Sequence, residues 1–354
     1  MRRRDFLRTG VGIGGAATLA GCTDLFETRS AFEEPPVVEN RPDAVYYPTH
    51  IEGMEMASMT TTGRYKIALM YSYPHRFWTV NGQNTNKVSI QDDDSVHFMG
   101  TLWDTETKTV LPYTNVSVEV TQDGESVDER SLWPMLTQPM GFHFGDNMSL
   151  PGDGTYTATV RIGAIQPRRT GSFEGEFGDP TTVDMEFEYS RATRDEIMVE
   201  QLDEKAGEKG AVDQMEMDMP IASLPPKEDL PGQVLGEATS GDGVFIVTAL
   251  DDAARFTDNG QPYLAVSGRT PYNRVPLPFI SLSATLDRDD ETVFDGALQS
   301  TLDPELDYHY GSTVESIESG DTLTISVDAP PQASRHEGYE TAFLEMSPME
   351  LTIQ

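Results

Sequence analysis

Short runs in which apolar and polar residues alternate constrain the fold of this 354-residue chain most strongly. Apolar side chains occupy every second position in 116–120, 156–162 and 183–189, and turn residues such as Pro151-Gly152-Asp153-Gly154 lie between the runs. Successive side chains of a strand point to opposite faces, so this pattern indicates half-buried strands. We therefore predict an all-β fold of antiparallel β-sandwiches.

The strand pattern occurs twice along the chain. Residues 67–82 and 245–260 each contain an Arg-Phe pair and end in Asn-Gly, and residues 131–145 align with 297–311 without a gap. These matches follow the same order in both halves, which indicates an internal duplication. We predict two Ig-like antiparallel β-sandwich domains in tandem.

Five segments follow from this organisation. We predict a signal peptide over 1–22, a tether over 23–43, a first Ig-like domain over 44–190, an acidic linker over 191–232 and a second Ig-like domain over 233–354. Within the linker, residues 195–209 are rich in Glu, Lys and Ala and favour a short helix. Its methionines 215, 217 and 219 are interpreted as part of a solvated linker that packs one or two side chains, with a soft metal relay as the alternative.

The chain is strongly acidic, with 25 basic and 59 acidic residues and a formal net charge of −34. Such a charge argues against nucleic acid and anionic lipid as electrostatic partners. Because the acidic residues are spread along the chain, we interpret them as the solvated surface of a protein from an extreme halophile. A surface that concentrates cations is the alternative.

The N-terminus carries three export signals in order. Arg3-Arg4-Asp5-Phe6-Leu7 resembles a twin-arginine signal, an apolar run over 11–20 is too short to span a bilayer, and Leu19-Ala20-Gly21-Cys22 resembles a lipobox. We predict a lipoprotein anchored through Cys22 on the outer face of the cell membrane. Cys22 is the only cysteine, which excludes an intrachain disulfide and a blue-copper site.

Residues 132–152 bring together the thioethers of Met135 and Met140 and the imidazole of His143. Imidazole suits copper, iron and zinc, and thioether adds a preference for copper. This segment therefore predicts a metal site.

Residues 44–190 resemble the bacterial periplasmic iron-transport accessory proteins, also known as the membrane-antigen family. The resemblance rests on Ala44-Val45-Tyr46-Tyr47, Met54 with Met56, Leu132-Trp133-Pro134-Met135 and His143-Phe144-Gly145-Asp146-Asn147. It implies an Ig-like β-sandwich, often dimeric, that binds Cu(II) or iron and assists an iron permease. We therefore expect a copper or iron ion, a permease partner and a homodimer.

The resemblance also implies a set of ligands. The family's methionine and first histidine become Met135 and His143. Its His-x-Glu strand is placed on Ala68-Leu69-Met70, which carries neither ligand. Its late loop corresponds to residues 165–177, where Arg168 and Arg169 stand and histidine is absent. Half of the family's ligands are thus missing.

Other side chains are candidates to complete the site: Met70, Met140 and His75. A thioether-rich set of this kind favours Cu(I) over Fe(III). The alternative is that the methionines fill the core and that His143 is hydrogen-bonded within the sandwich. His97 is expected to be an ordinary strand residue.

The second domain repeats the site in weaker form. His309 corresponds to His143, Thr301 replaces Met135, and the late loop carries His336. One hypothesis is a two-histidine site of His309 and His336 with Asp307 or Glu337 beside them. The other is that the two domains divide the ancestral ligands between them.

We expect an exported, lipid-anchored protein that binds copper or iron and supports iron uptake. It is not expected to be an enzyme, since the chain lacks a Gly-x-Ser-x-Gly nucleophile elbow. One alternative is an Ig-like surface lipoprotein that serves as a structural or interaction module without metal. The other is a copper-dependent oxidoreductase.

Overall fold

The computed structural model describes residues 35–112, 114–251, 253–257 and 260–354. The twin-arginine signal, the lipobox and Cys22 lie outside the described residues, as does most of the tether. Within the ranges above, no helix is long and apolar enough to cross a membrane.

Strands form nearly all of the regular structure. The first half contains β1 (His50–Glu52), β2 (Glu55–Thr62), β3 (Tyr65–Ser72), β4 (Phe77–Asn81), β5 (Asn84–Val88), β6 (Val96–Asp104), β7 (Val116–Gln122), β8 (Glu125–Thr137), β9 (Gly141–Met148), β10 (Gly154–Ile162), β11 (Arg168–Arg169), a 3₁₀ helix (Gly171–Phe173) and β12 (Thr181–Tyr189). A helix, α1 (Arg191–Asp195), β13 (Val199–Gln201) and a 3₁₀ helix (Lys227–Asp229) follow. The second half contains β14 (Gln233–Ser240), β15 (Gly243–Leu250), β16 (Tyr263–Arg269), β17 (Ser281–Arg288), β18 (Glu291–Asp303), β19 (Asp307–Thr313), β20 (Thr322–Ala329), β21 (Ser334–Arg335) and β22 (Met349–Thr352).

The two halves share one strand order. The first sheet runs β2-β3-β6-β9-β8-β7-β10-β12, and the second runs β14-β15-β16-β19-β18-β17-β20-β22. Each strand of the first path thus has a counterpart at the same place in the second. The prediction of an all-β fold with two sheet domains in tandem is confirmed, and the strand order is compatible with Ig-like sandwiches. We call these halves the first and second modules.

Alternation along the strands determines which faces are buried. In β10 the side chains of Tyr156, Ala158, Val160 and Ile162 are buried, whereas Arg161 is exposed. Each fully buried aliphatic or aromatic side chain contributes roughly 1.5–3 kcal/mol to folding. The buried faces of both modules join in one large core cluster.

The modules exchange short strands. β21 of the second module pairs in parallel with β8, placing Ser334 opposite Met135. β11 of the first module pairs in parallel with β18, placing Arg168 opposite Thr301. Each module therefore completes the sheet of the other.

The segment between the modules differs from its prediction. The expected helix over 195–209 is absent from this described segment, because α1 ends at Asp195 and β13 then pairs antiparallel with β1. Gly207 and Gly210 take φ values of +85° and +149°, which a helix does not accommodate. Part of this segment packs against the modules, since Met219, Ala222 and Leu224 are buried.

Candidate metal centre

Four histidines from different parts of the chain converge at one end of the first sheet. His97 lies on β6, His143 on β9, His75 after β3 and His336 directly after β21. The nearest ligand atoms of His75, His97 and His336 all lie within 4.8 Å of one another. The rings of His75 and His97 are 4.1 Å apart between centroids, and those of His143 and His336 are 5.3 Å apart.

Strand register brings the thioether of Met135 into this cluster. Met135 on β8 lies directly opposite His143 on β9. Its Sδ atom is 3.3 Å from Nε2 of His336. His336 reaches this point because the preceding strand, β21, pairs with β8 at Met135 and Leu136.

Asn147 determines which nitrogen of His97 faces the cluster. The Nδ2 group of Asn147 donates to the His75 carbonyl at 2.9 Å, so its Oδ1 atom faces Nδ1 of His97, also at 2.9 Å. An amide oxygen only accepts, so Nδ1 of His97 carries the proton. Nε2 of His97 consequently presents a lone pair, as a metal ligand must.

Glu52 orients His75 in the same way. Its carboxylate lies 3.3 Å from Nδ1 of His75 and 3.0 Å from Nε2 of His50, and it accepts a hydrogen bond from Ser72. Burial alone raises the pKa of Glu52, but the interactions with His75 and His50 outweigh it and hold that pKa below its usual range. Glu52 therefore supplies a negative charge beside the cluster.

Three of the histidines have a ring nitrogen without a hydrogen-bond partner. Among the described residues, no such partner meets Nε2 of His75, Nε2 of His97 or Nε2 of His143. Burial lowers the pKa of His143 to about 3 and the pKa values of His97 and His336 well below their usual range. These three imidazoles are therefore neutral at physiological pH and able to coordinate a cation.

Gly145 makes the close packing of these ligands feasible. A Cβ atom at this position would lie 2.8 Å from Nε2 of His97 and 3.3 Å from Sδ of Met135. The glycine of the His143-Phe144-Gly145 motif thus leaves room for the site.

A pocket leads to the cluster. Its walls include Glu52, Met54, Met140, Met215 and Glu337, and His75, His143 and His336 lie along it. Several imidazoles with one thioether suit copper best, while imidazole with a nearby carboxylate also accommodates iron or zinc. The residues present therefore fit a transition-metal ion.

The structure brings most of the predicted first-module residues together. Met135, His143 and His75 are in the cluster, and Met140 lines the pocket. Met70 differs: its side chain is buried in the hydrophobic core, where β3 places it opposite Met99. Met70 does not line the pocket, and its role as a ligand stays a prediction.

Two parts of the site were missed by the sequence reasoning. His97, expected to be an ordinary strand residue, belongs to the cluster. The His-x-Glu pair was assigned to residues 68–70, but the structure places His50-Ile51-Glu52 of β1 at the pocket. The spacing His50-x-Glu52 is itself readable in the sequence and was the available signal.

The expected two-histidine site of the second module is corrected. His336 lies beside Met135 in the first module, so it does not join His309. Nε2 of His309 instead faces the Tyr263 hydroxyl at 3.2 Å, and its Nδ1 faces the Asp307 carbonyl at 3.0 Å. The placement of His336 agrees with the other hypothesis, a division of ligands between the modules.

Fold and site together define an all-β, two-module protein with a buried histidine–methionine cluster. Residues 51–191 match the family model described as Fe2+ transport protein, which confirms the iron-transport resemblance over that part of the chain. Residues 228–352 match a domain of unknown function (DUF7350).

Two solved structures of FetP from uropathogenic E. coli strain F11 are similar to the chain. The "as isolated" protein is 20% identical over 40% of this chain and 96% of that chain, with a TM-score of 0.29. A copper-bound variant is 21% identical over 38% of this chain and 97% of that chain, with a TM-score of 0.29. No curated protein matches the chain.

Proposed function

We propose that this protein binds a copper or iron ion at the cluster of His75, His97, His143, His336 and Met135. The observation that carries the proposal is the convergence of buried imidazoles, in which Nε2 of His75, Nε2 of His97 and Nε2 of His143 have no hydrogen-bond partner in the described part of the chain. A metal ion bound in the cluster would coordinate several of these nitrogens at once and so satisfy their lone pairs.

We further propose that the bound ion serves iron uptake at the outer face of the cell membrane. The match of residues 51–191 to the Fe2+ transport protein family supports this role. The twin-arginine and lipobox motifs support export and anchoring through Cys22, and an iron permease is the natural partner. The protein acts as a carrier of the metal and needs no catalytic base or nucleophile.

The rival function is that of an Ig-like structural or interaction module that has lost its metal. The orphaned nitrogens disfavour it, because a buried polar atom without a partner costs roughly 1–3 kcal/mol. A module that binds no metal would gain stability if other residues replaced the histidines that carry these nitrogens.

Titration of the purified protein with Cu(I), Cu(II), Fe(II) and Fe(III) tests the proposal. We expect tight binding of at least one ion, lost in His97→Gln and in Met135→Leu. His309→Gln is the matched control, since it replaces a buried histidine outside the cluster and should leave binding unchanged. Affinities weaker than about millimolar for all four ions would favour the structural rival.

A further inference from the structure

The exchange of strands between the modules is reciprocal at the level of single hydrogen bonds. The backbone N–H of His336 donates to the Leu136 carbonyl at 3.1 Å, and that of Thr170 donates to the Leu302 carbonyl at 3.1 Å. Thr170 therefore occupies, against the second module, the place that His336 occupies against the first.

The same register identifies the other counterparts. Thr301 lies opposite His309 as Met135 lies opposite His143. Gly311 pairs with Ala265 as Gly145 pairs with Met99, so Tyr263, two residues before Ala265, stands where His97 stands in the first module. Of four cluster ligands traced in this way, only the histidine at position 309 is retained.

Side chains fill the space around this remaining histidine. The rings of Phe256 and Tyr263 stack with centroids 4.0 Å apart and planes inclined by 6°. Phe256, Tyr263 and Leu306 belong to an apolar cluster with Leu230 and Leu250. The rings of Phe256 and Tyr263 therefore lie in the space beside His309, 5.9 Å and 5.8 Å from its ring between centroids.

Hydrogen bonds use both nitrogens of His309. Its Nδ1 donates to the Asp307 carbonyl, which leaves Nε2 to accept from the Tyr263 hydroxyl. Thr170 is engaged as well, since its hydroxyl donates to Asp303 at 2.8 Å. This contrasts with the first module, where Nε2 of His143, the counterpart of His309, has no hydrogen-bond partner within the described ranges.

We propose that the second module completes the metal site of the first module by supplying His336, and that the second module itself binds no metal ion. One chain then binds one ion and requires no ligand from a second copy. The inference rests on the proposed function and adds the source of the last ligand and the number of ions. A homodimer, if formed, would not share a site between its chains.

Metal stoichiometry tests the number of sites. The purified chain is titrated with Cu(I) and with Cu(II), and bound copper per chain is measured after gel filtration. We expect one ion per chain in the wild type and in His309→Gln. If the wild type binds two ions per chain and His309→Gln binds one, this inference is wrong but the proposed function stands. If the wild type binds no ion, the proposed function is wrong as well.

A mixing experiment tests whether His336 acts within its own chain. His336→Gln chains and His97→Gln/Met135→Leu chains are unfolded together, refolded and titrated with the tighter-binding copper ion. Circular dichroism and gel filtration of each variant alone confirm that it refolds. The mixture should bind no more copper per chain than the two variants bind when they are refolded separately. Recovery of binding in the mixture would show that a second copy supplies His336 and would overturn the inference.

Discussion

His336 places Nε2 3.3 Å from Sδ of Met135, although 201 positions separate the two residues in the sequence. One ligand is carried by the second module and the other by the first. An ion held between them would connect the modules, in addition to the paired strands β21 and β8.

Metal binding should therefore raise the stability of the whole chain. At a free copper concentration one hundred times the dissociation constant, the free energy of unfolding should rise by about 2.7 kcal/mol. Thermal and urea unfolding with and without copper measure this change. His336→Gln should abolish the gain and His309→Gln should keep it; a gain that survives His336→Gln would contradict the prediction.

Asn147 should act on the metal through His97. Replacing it by Leu removes the acceptor that keeps the proton on Nδ1 of His97. Loss of an outer-shell partner of this kind typically weakens metal affinity by about 10–100-fold. Thr313→Val is the matched control, because Thr313 pairs with Tyr263 as Asn147 pairs with His97. Equal affinities in the two variants, measured by competition with a chelator, would rule out this role.

Gly145→Ala should weaken metal binding with little loss of fold. The added Cβ atom would displace Nε2 of His97 and Sδ of Met135. We expect a decrease in affinity on the order of tenfold or more, comparable with loss of an outer-shell partner. Gly100→Ala on the same sheet is the control, since its Cβ would meet Leu69 at an ordinary 3.5 Å. Unchanged copper affinity in Gly145→Ala would contradict the tight packing of the ligands.

The metal-free chain should lose stability as the pH falls below 6.5. Burial lowers the pKa of His309 to about 4 and that of His143 to about 3, from an ordinary 6.5. Between these values the unfolded chain binds protons that the folded chain excludes. The free energy of unfolding then falls by about 1.4 kcal/mol per pH unit for each such histidine.

Asp307 opposes this trend. Burial raises the pKa of Asp307 to about 7, so the folded chain holds a proton there that the unfolded chain releases above about pH 4. Asp307→Asn should therefore steepen the loss of stability on acidification, and His309→Gln should make it shallower. Urea unfolding of the chelator-treated protein at pH 7, 6 and 5 measures both slopes. The opposite order of slopes would contradict these assignments.

The sheets and part of the site were predictable from the sequence. Alternation in runs such as 156–162 reports directly which face of a strand is buried, and the gapless match of 131–145 to 297–311 reflects equal strand pairing in both modules. Met135 and His143 were found because they lie in one short segment, which resembles the ligand motifs of the iron-transport accessory family.

The remaining ligands depend on contacts that local patterns do not encode. His97 looks like any buried strand residue until β6 is placed beside β9. His336 was expected to join His309 because the two share a module in the sequence. The exchange of β21 reverses that expectation, since it carries the loop across to β8.

X-ray absorption of the copper-loaded protein tests metal binding at the shared cluster most directly. We expect a shell of imidazole nitrogens at roughly 2.0–2.1 Å, the range found for histidine on zinc, together with a sulfur scatterer. The sulfur should disappear in Met135→Leu, and the imidazole count should fall in His336→Gln but not in His309→Gln. A shell of oxygen atoms alone, or one that the His336 substitution leaves unchanged, would contradict a site built by both modules.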